Sequence, residues 1–361
     1  MVIYKLWYTK GMNKLRNKGF TLVELLIVMA IIGLLGSLTM VVTAGARVSS
    51  RDIRRVSDVQ QVVTALEFYY NRAGMYPTLV TSSAPLSDGA RTYLDSVPEN
   101  TYPRKDGDCL DRNFLYEAVP GSATYQVTFC LGSDKGRLKK GINVCENGSC
   151  LPCNELSVRD SDGNAYSAVS IGGQCWLAEN LRTKSFPNGN CINDGTKPCA
   201  DASAADNGKG RSCYNNQETN CATDGGLYKP DIILNGGSEG AQGICPFGWH
   251  IPTDSELAIL DAYANDFPNT CNPLRNGWGC DGAGNKLKLG GMLGFNMAYA
   301  GQRGSDDSFA FRGNNASIWS STAGDLPNSY WYRYIFSGSA SIARGRTVAD
   351  FSLSVRCIKN Y

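Results

Sequence analysis

The sequence predicts an α+β protein in which one long N-terminal helix precedes a small antiparallel sheet and then a mostly β domain. An apolar run at residues 20–42 continues into a pattern of apolar residues at three- and four-residue steps, which is typical of a helix. Short β-like runs follow between about residues 114 and 144. From about residue 155, glycine, asparagine and tryptophan dominate, and turn residues separate short strands. With 361 residues, the chain is long enough for two folded domains.

The net charge argues against a nucleic-acid partner, and the cysteine content indicates the compartment in which the protein folds. The 35 Lys and Arg residues nearly balance 33 Asp and Glu residues, so the formal net charge is only +2. No global field attracts nucleic acid, and we expect no nucleic-acid partner. All 14 cysteines lie between Cys109 and Cys357, and their even number predicts disulfide bonds formed in an oxidising compartment.

The N-terminus combines a basic leader with an apolar segment. Residues 1–19 contain five Lys or Arg residues and no acid. The run that follows, from Phe20 to about Val42, is long enough to cross a bilayer core of about 30 Å, and Glu24 is its one charged residue. A cleavable secretory signal has a processing site after a shorter apolar region, whereas the only suitable site here precedes the run. We therefore predict a retained membrane helix at residues 20–44.

A short motif at the start of this helix resembles a known processing site. The segment Lys18–Glu24, Lys-Gly-Phe-Thr-Leu-Val-Glu, resembles the prepilin motif of type IV pilins and type II secretion pseudopilins. The resemblance implies cleavage by prepilin peptidase between Gly19 and Phe20, followed by N-methylation of Phe20. A start at Met12 would give the short leader typical of the family, so Met1 and Met12 both stay open as the true start.

Glu24 is unusual because a carboxylate in hydrocarbon costs a few kcal/mol and persists mainly where it finds a partner. In pilin-like proteins the corresponding glutamate is thought to pair with the α-amino group of a neighbouring subunit. The resemblance therefore implies an assembly role for Glu24, with other pilin or pseudopilin subunits and an inner-membrane assembly platform as partners. The alternative is a tolerated polar residue in a plain membrane anchor. The helix lacks the proline of many filament pilins, which favours pseudopilin-like members.

Residues 45–145 are expected to form a stem helix with a small sheet. Gly74 and Pro77 predict that the helix ends near Asn71, because glycine can cap a helix and proline cannot continue it. The stretch Arg55–Tyr70, with the Gly-Met-Tyr-Pro that follows, resembles the major-pseudopilin-like family. The apolar stem positions are Ile53, Val56, Val59, Val63, Leu66 and Tyr70.

The sheet packed on this stem is predicted from alternating and apolar runs. Cys109 and Cys130 are the only cysteines of the region before its terminal Cys145. We predict that they form a disulfide, which would stabilise the fold by roughly 3 kcal/mol. The predicted strands are residues 114–119, 125–131 and 142–144.

A cysteine-rich junction at residues 146–154 separates the two predicted domains. Cys145, Cys150 and Cys153 lie close together around a turn. A Cys-x-x-Cys pair also occurs in redox and zinc sites, but the chain has no second pair and its only histidine is the distant His250. We therefore predict structural disulfides here, with no metal site and no cofactor.

Residues 155–361 carry a second set of motifs. One helix is predicted at Asp254–Ala264, with Thr253 as N-cap and Glu256 as capping-box partner. Four further segments resemble, in order and spacing, the Fibrobacter major paralogous domain, a family considered C-type-lectin-like in fold and found on bacterial surface proteins. The segments are Val169–Leu181, Ile244–Thr253, Ile318–Thr322 and Ser354–Lys359. The resemblance implies a fold and a surface location and leaves the ligand open.

The lectin-like resemblance also implies a disulfide and a candidate ligand surface. Lectin-like folds commonly bring their terminal strands together, which favours a bridge between Cys245 and Cys357. Tryptophan and tyrosine can stack on sugar rings, so we predict a ligand surface at Trp331, Tyr330 and Tyr332. The calcium-and-sugar triplets of true C-type lectins are absent, so calcium-dependent sugar binding is not expected. The motif tryptophans Trp176, Trp249 and Trp319 are expected to lie in the core. His250 is expected to be a packed, hydrogen-bonded side chain.

Taken together, the motifs predict a non-enzymatic pilin-like or pseudopilin-like subunit that displays an adhesin-like domain. It would start as a single-pass precursor in the bacterial inner membrane and end in a periplasmic or extracellular filament. Its surface ligand, carbohydrate or protein, is open, as is its role as major or minor subunit. One alternative is a pseudopilus subunit that acts mechanically or contacts cargo in secretion. Another is a lectin-fold enzyme that generates formylglycine with free cysteines and copper.

Overall fold

The protein has the expected α+β architecture, a long apolar helix followed by several antiparallel sheets. The described residues fall into two compact units, one that ends at Val48 and one that begins at Ser49, and helix α1 (Leu22–Ala73) begins in the first and ends in the second. The computed structural model describes residues 21–119, 123–192 and 210–361.

In the first unit, helix α1 is long and apolar enough, by length and composition, to cross a membrane. Its start is a capping box. The Thr21 hydroxyl accepts the backbone N–H of Glu24 at 3.2 Å, and the Glu24 carboxylate accepts the Thr21 N–H at 2.8 Å. The predicted processing residues Gly19 and Phe20 lie outside the described residues.

In the second unit, the end of α1 packs against a four-stranded sheet with the order β3-β4-β5-β6. The predicted stem stripe is buried where it meets the sheet: Val59, Val63 and Leu66 share a core with residues of β4. The helix ends at Ala73, and the N–H of Gly74, whose φ is +73°, bonds to the Tyr70 carbonyl at 2.8 Å. The strands up to this point are β1 (Leu86–Ser87), β2 (Thr92–Leu94), β3 (Leu115–Ala118), β4 (Tyr125–Leu131), β5 (Gly141–Glu146) and β6 (Ser149–Pro152).

The rest of the chain forms a five-stranded sheet, β12-β19-β9-β8-β7, a four-stranded sheet, β13-β18-β17-β16, and two short two-stranded sheets, β10-β11 and β14-β15. The strands are β7 (Ser157–Arg159), β8 (Ala165–Ile171), β9 (Gln174–Leu177), β10 (Arg211–Ser212), β11 (Leu227–Tyr228), β12 (Trp249–His250), β13 (Gly277–Gly279), β14 (Gln302–Arg303), β15 (Phe309–Ala310), β16 (Asn315–Ala323), β17 (Ser329–Phe336), β18 (Ile342–Val348) and β19 (Ile358–Lys359). The helices are α2 (Glu218–Asp224), α3 (Pro230–Leu234), α4 (Asp254–Ala264) and α5 (Ala283–Leu287). Helix α4 has the predicted bounds and the predicted capping box.

The α1-side sheet and the following β region share buried residues. Cys130 and Ile142 belong to the same hydrophobic core as Cys175 and Trp249. At the C-terminus, the Lys359 ammonium donates to the Gly248 carbonyl at 2.8 Å and to Glu117 of β3 at 3.3 Å. The described residues from Ser49 onward belong to one compact unit, and the domain boundary at 146–154 stays a prediction drawn from motifs and composition.

Disulfides connect neighbouring elements throughout the second unit. Both bridges expected from the sequence, Cys109–Cys130 and Cys245–Cys357, are present. The junction cysteines are bridged as well, which matches the structural interpretation of that segment. Within the described ranges no cysteine is free. Further bridges between described residues are Cys145–Cys150, Cys153–Cys175, Cys213–Cys221 and Cys271–Cys280.

Candidate functional site

Two of the motif segments of the β region, Val169–Leu181 and Ser354–Lys359, meet at a buried arginine. Arg356, which is fully buried, donates to the Leu177 carbonyl at 3.0 Å, to the Asn180 side-chain oxygen at 2.7 Å, and to the Phe295 carbonyl. Burial lowers the pKa of the Arg356 guanidinium to about 9, while the nearby charge of Glu179 opposes the shift. Arg356 therefore holds the fold together from a position that is closed to solvent.

The motif tryptophans and the histidine are also structural. Trp176, Trp249 and Trp319 are at most 2 % exposed, as expected for core residues. His250 is packed between two partners: Nδ1 lies 2.6 Å from Asn360 Oδ1 and Nε2 lies 3.0 Å from the Glu256 carboxylate. The histidine therefore fastens the last residues of the chain to the start of α4.

The four-stranded sheet β13-β18-β17-β16 has two different faces, because successive side chains of a strand point to opposite sides. On the inner face, Arg333 of β17 and Arg344 of β18 are paired in register and buried. Asp254 lies 2.6 Å from Arg333 and 2.8 Å from Arg344, and Asp261 lies 2.6 Å from Arg333. Arg275 binds Asp261 at 2.8 Å. The sheet is thus tied to α4 by a buried network of ion pairs.

The predicted ligand surface of Trp331, Tyr330 and Tyr332 needs correction. Trp331 lies on the inner face, is 9 % exposed, and has the Arg344 guanidinium 3.3 Å from its ring centre. Tyr330 and Tyr332 lie on the outer face, half-buried against Trp319. The three residues do not share a surface, because adjacent residues of a strand point to opposite sides.

Further along the outer face, three rings form a patch that we name the aromatic shelf: Trp278, Tyr334 and Phe336. The Trp278 ring centre lies 5.1 Å from that of Tyr334 and 5.5 Å from that of Phe336. Trp278 is 44 % and Phe336 42 % exposed, and Tyr334 is half-buried. Ala343 of β18 stands in register between Trp278 and Tyr334, and its small side chain leaves the rings uncovered.

Glycine at position 345 contributes to the same face. Gly345 pairs with Tyr332 across the strands, and a Cβ atom at this position would lie 3.0 Å from the Tyr332 ring. The missing side chain therefore lets the tyrosine lie over β18, where it stacks on Tyr334 with ring centres 5.4 Å apart. The aromatic shelf rests on an ordered row of rings.

Comparison with known families identifies both ends of the chain. The model for the Fibrobacter succinogenes major domain matches residues 169–359, more than half of the chain. The chain belongs to this family. The model for the prokaryotic N-terminal methylation motif matches residues 14–40. No curated protein and no solved structure is detectably similar to the chain.

The sequence contained a signal for part of the aromatic shelf. In the Fibrobacter domain, aromatic residues recur at every second position of β17, which is the period of one face of a strand. That pattern places Tyr330, Tyr332, Tyr334 and Phe336 on one face of the strand and Trp331 on the opposite face. Trp278 carries no such signal, because its strand has three residues and reaches the shelf only through the register of the sheet.

One group of side chains in the described ranges of the Fibrobacter domain has the spacing of metal ligands: Cys213, Glu218 and Cys221. Its two sulfur atoms form a disulfide, and the Glu218 carboxylate binds Arg211 at 2.8 Å. Because the donors are engaged with each other and with an arginine, the group does not fit a metal ion.

Proposed function

We propose that the chain is a non-enzymatic, pilin-like subunit that displays the Fibrobacter domain on a bacterial surface filament, where that domain binds a ligand. The observation that carries the proposal is the presence of two signatures in one chain, the methylation motif at residues 14–40 and the Fibrobacter domain at residues 169–359. The first implies processing by a prepilin peptidase and assembly with other pilin subunits. The second supplies a body with exposed aromatic rings.

The order of events follows from the chemistry of the N-terminus. The apolar part of α1 holds the precursor in the inner membrane as a single-pass protein. Removal of the basic leader creates a new α-amino group on Phe20. Glu24 of a neighbouring subunit pairs with this group when the inner-membrane platform assembles the filament. The large body after the stem would be awkward to repeat along a tightly packed filament, so we propose a minor subunit.

A second candidate is a subunit of a type II secretion pseudopilus that contacts cargo. The observation in its favour is the absence of proline between Phe20 and Val42. The two candidates differ in where the Fibrobacter domain ends up, outside the cell or in the periplasm. A lectin-fold enzyme that works through free thiols is a third alternative, and a thiol count on the purified protein tests it.

Labelling of intact cells with an antibody to the Fibrobacter domain tests the proposal. We expect discrete spots or filament tips to be labelled on wild-type cells, and labelling to disappear in cells without prepilin peptidase. Labelling along whole fibres would indicate a major subunit. Labelling only after the outer layer is opened would favour the pseudopilus, and surface labelling that does not depend on the peptidase would overturn the pilin-like assignment.

A further inference from the structure

We propose that the aromatic shelf of Trp278, Tyr334 and Phe336 binds a neutral polysaccharide by stacking of sugar rings. This inference rests on the proposed function, since it names the ligand class of the displayed domain. Trp278 and Phe336 keep more than two fifths of their surface exposed, in a domain whose other described tryptophans are at most 9 % exposed. Clustered exposed aromatic rings on a soluble domain mark a contact surface.

The charges of the sheet favour a neutral ligand. The arginines at the centre of β17 and β18, Arg333 and Arg344, point to the inner face and are paired with aspartates there. On the face of the shelf, the cross-strand neighbours of Tyr334 are Ala343 and Ser317, and that of Phe336 is Asn315. None of these cross-strand neighbours carries a charge, so the sheet itself places no ion-pairing side chain beside the rings.

The two polar neighbours of the shelf lie below its surface. Asn315 and Ser317 are at least 96 % buried, and within the described part of the chain Asn315 Oδ1 and Ser317 Oγ have no hydrogen-bond partner. A ligand on the shelf therefore contacts the rings and not these buried oxygens. A pyranose suits such a surface, because its apolar ring face stacks on an aromatic ring while its hydroxyl groups stay in water.

Tryptophan fluorescence provides a direct assay of the shelf. The full-length protein is purified in a zwitterionic detergent without a sugar headgroup, and Trp7, outside the described residues, is replaced in a Trp7→Phe background. Acrylamide then quenches mainly Trp278, because the other described tryptophans are buried. We expect a neutral glucan, mannan or galactan oligosaccharide to protect Trp278 from quenching, and polygalacturonate to give no protection.

Variants show whether the shelf itself is the binding site. Trp278→Ala and Phe336→Ala should each weaken glycan binding about tenfold, as judged by affinity electrophoresis, since each removes one stacking surface. The matched control is Phe267→Ala, which removes a ring that is 59 % exposed outside the shelf and should leave binding unchanged. Thermal unfolding of each variant separates loss of the site from loss of the fold.

Several outcomes overturn the proposal. Failure of every neutral glycan to bind or to protect Trp278 does so, as does tighter binding of polygalacturonate. Glycan binding that survives both shelf variants places the site elsewhere, and burial of Trp278 by a protein partner alone makes the shelf a protein interface. Because the assay uses purified protein, its result is independent of processing and display, which test the proposed function.

Discussion

At the level of single residues, the buried arginines of the four-stranded sheet are compensated by ion pairs with aspartates of α4. Arg333 is completely buried between Asp254 and Asp261. Replacing one member of a buried ion pair leaves the partner without full compensation. We expect Arg333→Met to lower the free energy of unfolding by about 3 kcal/mol, the low end of the usual range, since Arg344 and Arg275 still pair with the aspartates.

The control for this variant is Arg137→Met, which removes a contact to Glu155; the two side chains are 67 % and 44 % exposed. An exposed pair contributes about 0–1 kcal/mol, so this variant should unfold nearly as the wild type does. Urea unfolding of both proteins measures the difference. Equal losses in the two variants would contradict the importance of the buried network.

The same network predicts a dependence of stability on pH. Burial raises the pKa of Asp254, but the hydrogen bonds and charges of Arg344 and Arg333 hold it below its usual value of 3.8. A lowered folded-state pKa stabilises the protein fully above 3.8, and this stabilisation is lost as pH falls through the folded value. Urea unfolding between about pH 6 and 2 should therefore show a steeper loss for the wild type than for Asp254→Asn. Parallel profiles would rule out the contribution of Asp254.

Glu24 gives a prediction that separates two roles of one carboxylate. In the structure it caps α1 through Thr21, whereas the proposed assembly role needs the carboxylate but not the threonine. Glu24→Ala should insert into the membrane and fail to enter filaments, because the helix becomes more apolar while the intersubunit pair is lost. Thr21→Ala should insert and assemble. Membrane fractionation and filament shearing measure both, and equal incorporation of Glu24→Ala and wild type would remove the assembly role.

At the level of elements, short sequence patterns predict those helices and strands whose bounds are set by neighbouring residues. The sequence predicts the bounds of helix α4, because a capping box specifies its start. It also predicts strand β4, because the apolar run there has the length of a strand. The aromatic shelf was missed for the opposite reason. Trp278 and Tyr334 are 56 positions apart along the chain and meet only through the strand order of the sheet, which no local pattern specifies.

The two expected disulfides depended on different information. Cys109 and Cys130 were the natural pair within one small region, whereas Cys245 and Cys357 followed from the lectin-like resemblance. Their sequence separations are 21 and 112. The short bridge Cys145–Cys150 was not paired in advance, because three cysteines around one turn allow several pairings.

Loop length leads to a prediction about these bridges. By the chain-entropy estimate, closing a loop of 112 residues stabilises the fold by about 5 kcal/mol, and closing one of five residues by about 2 kcal/mol. The double variant Cys245→Ala/Cys357→Ala should therefore lose more stability and protease resistance than Cys145→Ala/Cys150→Ala. Urea unfolding and limited proteolysis under non-reducing conditions compare the two. A larger loss from the short bridge would contradict the entropic explanation.

At the level of the whole molecule, the methylation motif predicts that the leader is removed before the chain is assembled. We expect the mature protein to begin with N-methylated Phe20, and Gly19→Arg to retain the leader, because the peptidase must fit the residue before the cut. Mass spectrometry of the N-terminal peptide measures both. Gly19→Ala is the matched control and should be processed further than the arginine variant. An intact leader in wild-type cells with active prepilin peptidase would sink the pilin-like assignment.

The bridge between Cys245 and Cys357 also determines how the protein responds to tension. If the Fibrobacter domain is displayed as proposed, a ligand bound to its shelf pulls it away from the N-terminal helix. Without the bridge, about 90 residues separate Cys245 from Phe336, which can extend to roughly 300 Å. Through the bridge, load reaches Phe336 over about 20 residues, or roughly 70 Å. The disulfide therefore limits to roughly 70 Å how far extension inside the closed loop can draw this ring from Cys245, and any greater extension must come from chain outside the loop.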